Sequence, residues 1–315
     1  NPFLLGSVFP FTRAWWDGLK VGDRLIAVDG VHISGLNVDE VRALLPQTES
    51  ATTTLTLLRD GNQLQIQTAS ETHLSRSLGA TNQIAYLNLR EYTTASADRV
   101  RDDYTSLVSA GSGGSRGVIL DLRQNGGGSL SSAWNLTDFL GPSSVDNQIM
   151  FSLQQQSQGF DYRFGVYGSN LGITDPSKFV ILIDGSSASA SELTSAALKD
   201  LGIATLMGGI TYGKGVGQNV VGLLDGSGVY ITSFELLSPL GNSWHNLGVS
   251  PDYPLSTALP ATPADDTLLQ AAIDFIETGS VSQATTSRRT TKSPLLLSVP
   301  PYSHPWDGGS RQRLN

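Results

Sequence analysis

The residues best suited to chemistry are a serine and a lysine 25 positions apart, Ser189 in GSSASASE (residues 185–192) and Lys214 in TYGKG (residues 211–215). A serine hydroxyl becomes a nucleophile when a neighbouring base removes its proton, and a lysine can be that base where its surroundings disfavour the ammonium form. Gln218, four residues further on, could hydrogen-bond the neutral amine of the lysine. A carboxylate at that position would instead favour the charged ammonium form and raise the pKa of the lysine. This arrangement favours a Ser–Lys protease site.

The segments around the serine suit the stabilisation of negative charge. The apolar run FVILI at residues 179–183 predicts a buried strand and residues 192–200 predict a helix, so Ser189 would lie where a strand turns into a helix. Free N–H groups and the positive end of the helix dipole meet at such a junction. The three glycines at residues 126–128 would let backbone N–H groups approach a substrate carbonyl without a Cβ in the way.

The elements that must position these residues alternate between strands and helices. Repeated βα units of this kind predict an α/β core with a largely parallel sheet. Residues 217–256 carry further strand signals, and residues 111–115 read as a flexible connection. Strands are predicted over residues 83–89, 117–122, 179–183 and 203–207, and helices over residues 95–109, 129–140, 192–200 and 265–276.

The first 68 residues follow a different pattern, in which GLKVGDRLIAVDG at residues 18–30 precedes a helix over residues 37–45 and a hairpin over residues 52–67. This order resembles a PDZ domain over roughly residues 4–68. The first strand and the carboxylate-binding loop of such a domain are expected to be missing, which would remove the strand to which a peptide adds. A small packing domain without a ligand is the alternative. Of Trp15 and Trp16, at least one is predicted to be buried.

Composition and charge exclude several classes of protein. A net charge of −8 argues against nucleic acid or an anionic membrane as partner, and no apolar run approaches the roughly 20 residues of a membrane span. The chain has no cysteine, and its four histidines lack metal-ligand spacing, so no metal site is predicted. GGITYGKG at residues 208–215 falls short of a phosphate-binding loop, because Gly215 replaces the Ser or Thr that holds magnesium. The chain starts at Asn1 without a signal-type segment and is expected to be a mature or trimmed form.

Six motifs in this order resemble the carboxyl-terminal processing peptidases, also called tail-specific proteases. The resemblance runs from about residue 4 to residue 276. It implies a PDZ domain (residues 1–68) joined to an α/β peptidase core (residues 69–278) similar to the crotonase and Clp-protease fold. The motifs are GLKVGDRLIAVDG at 18–30, LDLRQNGGG at 120–128, SASASE at 187–192, KDLG at 199–202, YGKG at 212–215 with Gln218, and GVSPD at 248–252.

Carried over by position, the resemblance implies a serine endopeptidase that cleaves proteins near their C-termini through an acyl-enzyme. Ser189 would be the nucleophile, Lys214 the general base, and Gln218 the residue that orients the lysine. The partner would be a protein or peptide with an accessible C-terminus, with no metal or nucleotide cofactor. The family also implies a periplasmic or extracellular location, or a thylakoid lumen, while the oligomeric state stays open.

The same resemblance assigns the supporting groups of the site. The backbone N–H of Ala190, with that of Gly127 or Gly128, would form the oxyanion hole. Asp200 matches an acidic position that the family needs and would help to hold the core together. Residues 279–315 are Ser/Thr/Arg-rich and then Pro-rich, which predicts a disordered tail, with partner recognition as the alternative.

Several polar residues near these motifs are predicted to have structural roles and not catalytic ones. Ser187 and Ser191 are predicted to be turn and cap serines, Asp121 and Arg123 a structural pair, and His245 a loop residue outside any triad. The alternative to an enzyme is a non-catalytic member of the superfamily that acts as a scaffold for peptides or apolar ligands, as the interphotoreceptor retinoid-binding modules do.

Overall fold

The structure is a computed structural model that describes residues 3–48, 51–69, 73–79, 83–110, 117–146, 148–155, 160–165 and 175–281. The predicted flexible connection at residues 111–115 lies outside these ranges, as does all of the predicted tail beyond residue 281. Among the described residues, no helix is both long enough and apolar enough to cross a membrane.

The N-terminal part is a β domain with its own hydrophobic core. Its sheet has the order β1-β2-β4-β5, with β3 added beside β2. Helix α2 begins where Asn37 accepts the N–H groups of Asp39 and Glu40, while the Glu40 carboxylate accepts the N–H of Asn37. The predicted order of turn, strand, helix and hairpin is confirmed. The elements are β1 (Phe3–Leu4), α1 (Arg13–Trp16), β2 (Arg24–Val28), β3 (Val31–His32), α2 (Val38–Leu44), β4 (Thr52–Arg59) and β5 (Asn62–Ala69).

The rest of the described chain is the predicted α/β core. Its elements are β6 (His73–Leu78), β7 (Ile84–Leu89), α3 (Ser96–Ala110), β8 (Gly117–Asp121), α4 (Leu130–Leu140), β9 (Ile149–Gln155), β10 (Phe160–Gly165), β11 (Phe179–Ile183), α5 (Ala190–Asp200), β12 (Thr205–Gly208), β13 (Val216–Gly222), β14 (Gly228–Leu237), β15 (Tyr253–Pro254) and α6 (Thr267–Thr278).

The main sheet has six strands in the order β15-β12-β11-β8-β7-β6. All its pairs are parallel except β6 with β7. Helices cover both faces, which explains the uninterrupted apolar sequence of β11: Ile181 faces the core beneath α3, α4 and α5, whereas Val180 and Leu182 face α6. The largely parallel sheet is therefore confirmed, and β6 is an antiparallel edge strand that was not predicted.

A second sheet stands beside the first and carries the lysine loop. Its order is β10-β9-β14-β13, and all of its pairs are antiparallel. Strands β13 and β14 confirm the strand signals predicted after residue 217, whereas β9 and β10 were not predicted. Tight packing fixes the base of the β13–β14 hairpin, because a Cβ on Gly217 would come within 1.9 Å of the Phe234 ring.

The segment around α1 joins the β domain to the core. The Phe11 ring lies over the Arg123 guanidinium, 3.9 Å from its central carbon to the ring centre, and Arg90 donates a 2.9 Å hydrogen bond to the Pro10 carbonyl. Trp15 is 2% exposed and donates its indole N–H to the Ala261 carbonyl, which confirms the prediction of a buried tryptophan. The β domain is thus anchored close to the turn that follows β8.

Candidate active site

Ser189 occupies a sharp turn between β11 and α5. Its backbone has φ 55° and ψ −111°, a conformation that non-glycine residues seldom adopt and that costs on the order of 1–3 kcal/mol. Ser189 takes the N-cap position, so α5 begins at Ala190, two residues before the predicted start. The strained turn places a partly exposed hydroxyl at the positive end of a helix.

The neighbouring serines hold this turn in place. Ser187 donates its hydroxyl to the Leu122 carbonyl at 2.8 Å, and Ser191 donates its hydroxyl to the Asn125 carbonyl at 3.0 Å. Both serines are fully buried, which confirms the predicted structural roles, so of Ser187, Ser189 and Ser191 it is Ser189 that has access to solvent.

The glycine turn after β8 lies directly against the serine turn. A Cβ on Gly127 would come within 2.8 Å of the Ser189 Cβ and 2.7 Å of the Ala188 carbonyl oxygen, so only glycine fits there. The Gly127 N–H donates to Asn125 Oδ1 at 2.9 Å. Within the described chain, the N–H groups of Gly128 and Ala190 have no acceptor, so they are the ones available to an incoming oxyanion.

Glu192 links the serine turn to the lysine loop. This fully buried carboxylate accepts the N–H of Ser189 and the N–H of Lys214 at one oxygen, each at 2.8 Å. Its other oxygen accepts the Gly213 N–H and the Thr211 hydroxyl, each at 2.6 Å. Sequence reasoning assigned Glu192 only to the start of the helix. The Ser-x-x-Glu spacing typical of a capping box was the available signal.

Lys214 and Gln218 are in the expected region but are not bonded to the serine. The Lys214 side chain is partly exposed between two glycines, and Gln218 is exposed on β13. Among the described residues, Lys214 Nζ has no hydrogen bond to Ser189 Oγ or to Gln218 and no carboxylate within salt-bridge distance. The structure therefore brings together the backbones of Ser189 and Lys214, without the hydrogen bond between their side chains.

Asp200 lies at the opposite end of α5 from Ser189, roughly 16 Å away for an 11-residue helix. Burial raises the pKa of the Asp200 carboxyl, and hydrogen bonds from the Ser238 hydroxyl and the Leu240 N–H oppose that rise. Its Oδ2 is buried without a partner in the described chain. Asp200 thus lies half-buried next to the loop after β14, which is compatible with the supporting role implied by the resemblance.

Asp200→Asn is expected to change how stability depends on pH. A carboxyl whose pKa is raised by folding binds its proton more tightly in the folded state, so the wild type should lose free energy of unfolding relative to Asp200→Asn as the pH rises from about 4 to about 7. Chemical denaturation at a series of pH values measures this difference. Asp175→Asn is the control, because the Asp175 carboxyl has a lowered pKa: the wild type should gain stability relative to this variant as the pH rises toward about 4, and the difference should be nearly constant above that. If the difference in free energy of unfolding between the wild type and Asp200→Asn did not change with pH, the expectation would be wrong.

The Asp121–Arg123 pair is structural, as predicted, and larger than predicted. Arg123 bonds Asp121 at 2.6 Å and Asp266, before α6, at 2.7 Å, with all three side chains buried. Asp121 also accepts the Tyr86 hydroxyl, and burial followed by the Asp121 charge raises the pKa of that phenol. This network fixes the end of β8, from which the glycine turn departs.

His245 lies in a loop, as predicted. Its backbone packs against Gly215, where a Cβ would approach the His245 nitrogen to 2.7 Å, and its N–H donates to the Ser243 hydroxyl. No hydrogen bond between described residues joins its ring to Ser189 or Lys214. In the same part of the chain, no group of three or more His, Asp or Glu side chains could hold a metal ion.

Comparison with known proteins gives one consistent result. Residues 83–255 match the model of peptidase family S41, and residues 8–59 match that of a PDZ domain. The carboxyl-terminal-processing protease of Synechocystis sp. is 30% identical over 284 residues, covering 85% of this chain and 63% of that protein. The chloroplastic C-terminal processing peptidase of Tetradesmus obliquus is 31% identical over 257 residues, covering 76% of this chain and 53% of that protein.

A solved structure agrees with these sequence matches. The photosystem II D1 C-terminal processing protease aligns with a TM-score of 0.53 and 28% identity, over 82% of this chain and 70% of that one. The chain thus spans about half to two thirds of the length of these curated relatives.

Proposed function

This chain belongs to peptidase family S41, and from that premise we propose that it is a serine endopeptidase that cleaves protein substrates near their C-termini. One observation carries the proposal: the strained backbone of Ser189 and the backbone of Lys214 are held by a single oxygen of Glu192. A nucleophile and a base on separate loops need such a shared support to stay in register.

In the proposed reaction, Ser189 Oγ attacks the carbonyl carbon of the scissile peptide bond while neutral Lys214 Nζ takes its proton. The N–H groups of Gly128 and Ala190 stabilise the resulting oxyanion. When the carbon–nitrogen bond breaks, the Lys214 ammonium returns the proton to the leaving amine. Water, activated by the same lysine, then hydrolyses the ester on Ser189 and releases the new C-terminus.

Substrate binding is proposed to complete the Ser–Lys hydrogen bond that the structure lacks. Catalytic hydrogen bonds are often long in free enzymes and shorten once substrate is bound. The Lys214 backbone is already fixed by Glu192, so only the side chain has to move, with Gln218 then orienting the amine. Because the side chains of Ser189 and Lys214 are not bonded, the alternative is a non-catalytic scaffold. The labelling experiment below distinguishes this scaffold from a peptidase.

We extend the proposal to substrate choice and location. The relatives' names describe C-terminal processing, so the substrates would be proteins with an accessible C-terminus. The β domain of residues 1–68 would take part in tail recognition or in gating the core of residues 69–278. By the same analogy, the protein would work in a periplasm, outside the cell or in an equivalent compartment.

A fluorophosphonate probe tests whether Ser189 is activated. The probe phosphonylates serines that a neighbouring base deprotonates, so we expect one adduct, which mass spectrometry of the digested protein assigns to Ser189. Ser186, exposed in the same turn, serves as the internal comparison and should stay unmodified. Folded protein that shows no adduct at Ser189 and also leaves an unfolded protein substrate uncleaved would favour the non-catalytic scaffold.

A further inference from the structure

Strand β13 combines an open edge with closeness to the proposed base. It starts at Val216, two residues after Lys214, and includes Gln218. Within the described ranges it pairs with β14 alone, so its other side carries unpaired backbone groups.

The hairpin register shows which backbone groups point to that open side. Leu223 donates its N–H to the Ser227 carbonyl, which makes these two residues a hydrogen-bonded pair. Pairs in an antiparallel ladder alternate between bonded and non-bonded, so Val221–Val229 is bonded and Val220–Tyr230 is not. The backbone N–H and C=O groups of Gln218, Val220 and Gly222 therefore point away from β14, in the plane of the sheet, toward its open edge.

Apolar side chains are exposed on both faces of this hairpin, beside the polar Gln218 and Asn219 of β13. Val220 and its partner Tyr230 are 61% and 71% exposed on one face. The other face presents Val221, Val229 and Ile231, each more than 40% exposed. Between Val216 and Phe234, Asp225 in the turn is the only charged residue. An uncharged edge strand of seven residues with exposed valines is suited to pair with another extended chain.

We propose that the open edge of β13 binds the substrate polypeptide as an added strand, with selectivity for extended, uncharged, apolar segments. The inference rests on the proposed function and names its substrate class. Continuity with Lys214 favours substrate over a second copy of the chain, because a strand paired along Gln218–Gly222 runs directly from the catalytic loop. Main-chain pairing would supply affinity, and cross-strand contacts with Val220 and its neighbours would supply selectivity.

A backbone-methylation scan tests this pairing. Fluorescent apolar peptides, each N-methylated at one successive residue, are titrated into Ser189→Ala protein, which holds them uncleaved, and binding is followed by anisotropy. In a strand, alternate N–H groups face the partner, so affinity should fall roughly threefold to tenfold at every second position and change little between. Losses without a two-residue period would overturn the proposal.

A pair of variants in the same Ser189→Ala background tests the protein side. Val220→Pro removes one outward N–H from an edge strand that tolerates proline at that position, whereas Val220→Ala keeps the N–H and shortens the side chain. We expect Val220→Pro to bind the unmethylated peptide roughly threefold to tenfold more weakly than Val220→Ala, at an unchanged melting temperature. Equal affinities would overturn the proposal. If Val220→Pro unfolds, the methylation scan decides.

The outcomes separate this inference from the proposed function. Wild-type protein that neither cleaves the peptides nor reacts with fluorophosphonate would contradict the peptidase, even if binding shows the two-residue period. Cleavage without that period would contradict only the added strand. Sedimentation of Val220→Pro against wild type completes the test, because loss of a dimer with unchanged peptide binding would assign the edge to self-association.

Discussion

Ser189→Ala and Lys214→Ala are each expected to lower kcat for cleavage of an unfolded protein by at least about 10⁴-fold. The first removes the atom that forms the acyl-enzyme, and the second removes the only amine placed on a backbone that Glu192 ties to the serine. Alanine has the same steric restriction as serine at φ 55°, so the turn and the melting temperature should be preserved. Single-turnover assays with a protein carrying an apolar C-terminus measure the loss.

Two matched variants control for nonspecific damage. Ser186→Ala alters an exposed serine in the same turn, and Lys199→Ala alters a lysine on α5 whose partner is Asp252 at 3.1 Å. Neither Ser186 nor Lys199 has a role in the proposed reaction, so both variants should cleave the substrate at close to the wild-type rate. If Ser189→Ala turned over substrate as fast as the wild type, Ser189 would not be the nucleophile.

Local sequence patterns were sufficient to predict the frame of this site. The apolar run that forms β11 and the helix after it placed Ser189 at a strand-to-helix turn, because burial on both sheet faces leaves an uninterrupted apolar sequence. Capping serines were also foreseeable, since short polar side chains at a tight turn usually bond nearby backbone. Ser187 follows that rule by accepting the Asp184 N–H, whereas the bonds that Ser187 and Ser191 donate to the Leu122 and Asn125 carbonyls join segments distant in sequence.

Features set by tertiary contacts could not be predicted in the same way. Sequence alone left Gly127 and Gly128 equivalent as oxyanion donors, and only the bond from the Gly127 N–H to Asn125 Oδ1 distinguishes them. Strand β9 was missed because its partner β14 is about 80 residues away in sequence, and within the described chain β10 pairs with β9 alone. The side-chain separation of Ser189 and Lys214 likewise depends on how two loops pack, for which residue spacing carries no signal.

Glu192 shows most clearly what the fold adds to the motif. An ionised carboxylate accepts hydrogen bonds at both oxygens, and here each oxygen receives two donors. The Thr211 hydroxyl cannot turn away, because its oxygen also accepts the Val249 N–H. A glutamine has one acceptor and would direct its own N–H₂ group at the remaining donors. In the orientation of lowest free energy, the glutamine oxygen accepts the N–H groups of Ser189 and Lys214, and its N–H₂ group donates to the Thr211 hydroxyl oxygen. The buried Gly213 N–H is then left unpaired.

Glu192→Gln is therefore expected to fold but to lose about 1–3 kcal/mol of stability for the unpaired N–H. Because Gly213 adjoins Lys214, the lysine should shift by a fraction of an ångström or more, and kcat should fall on the order of 10²-fold with a smaller change in KM.

Glu40→Gln is the matched control, since it makes the same change at the same third position of a helix, in the exposed capping box of α2. Glutamine can replace glutamate in a capping box, so this variant should keep wild-type stability and kcat. Melting curves and steady-state kinetics of the three proteins decide the matter. If Glu192→Gln matched Glu40→Gln in both measurements, the carboxylate would be a helix cap alone, and the register of Ser189 with Lys214 would have to come from the packing of their loops.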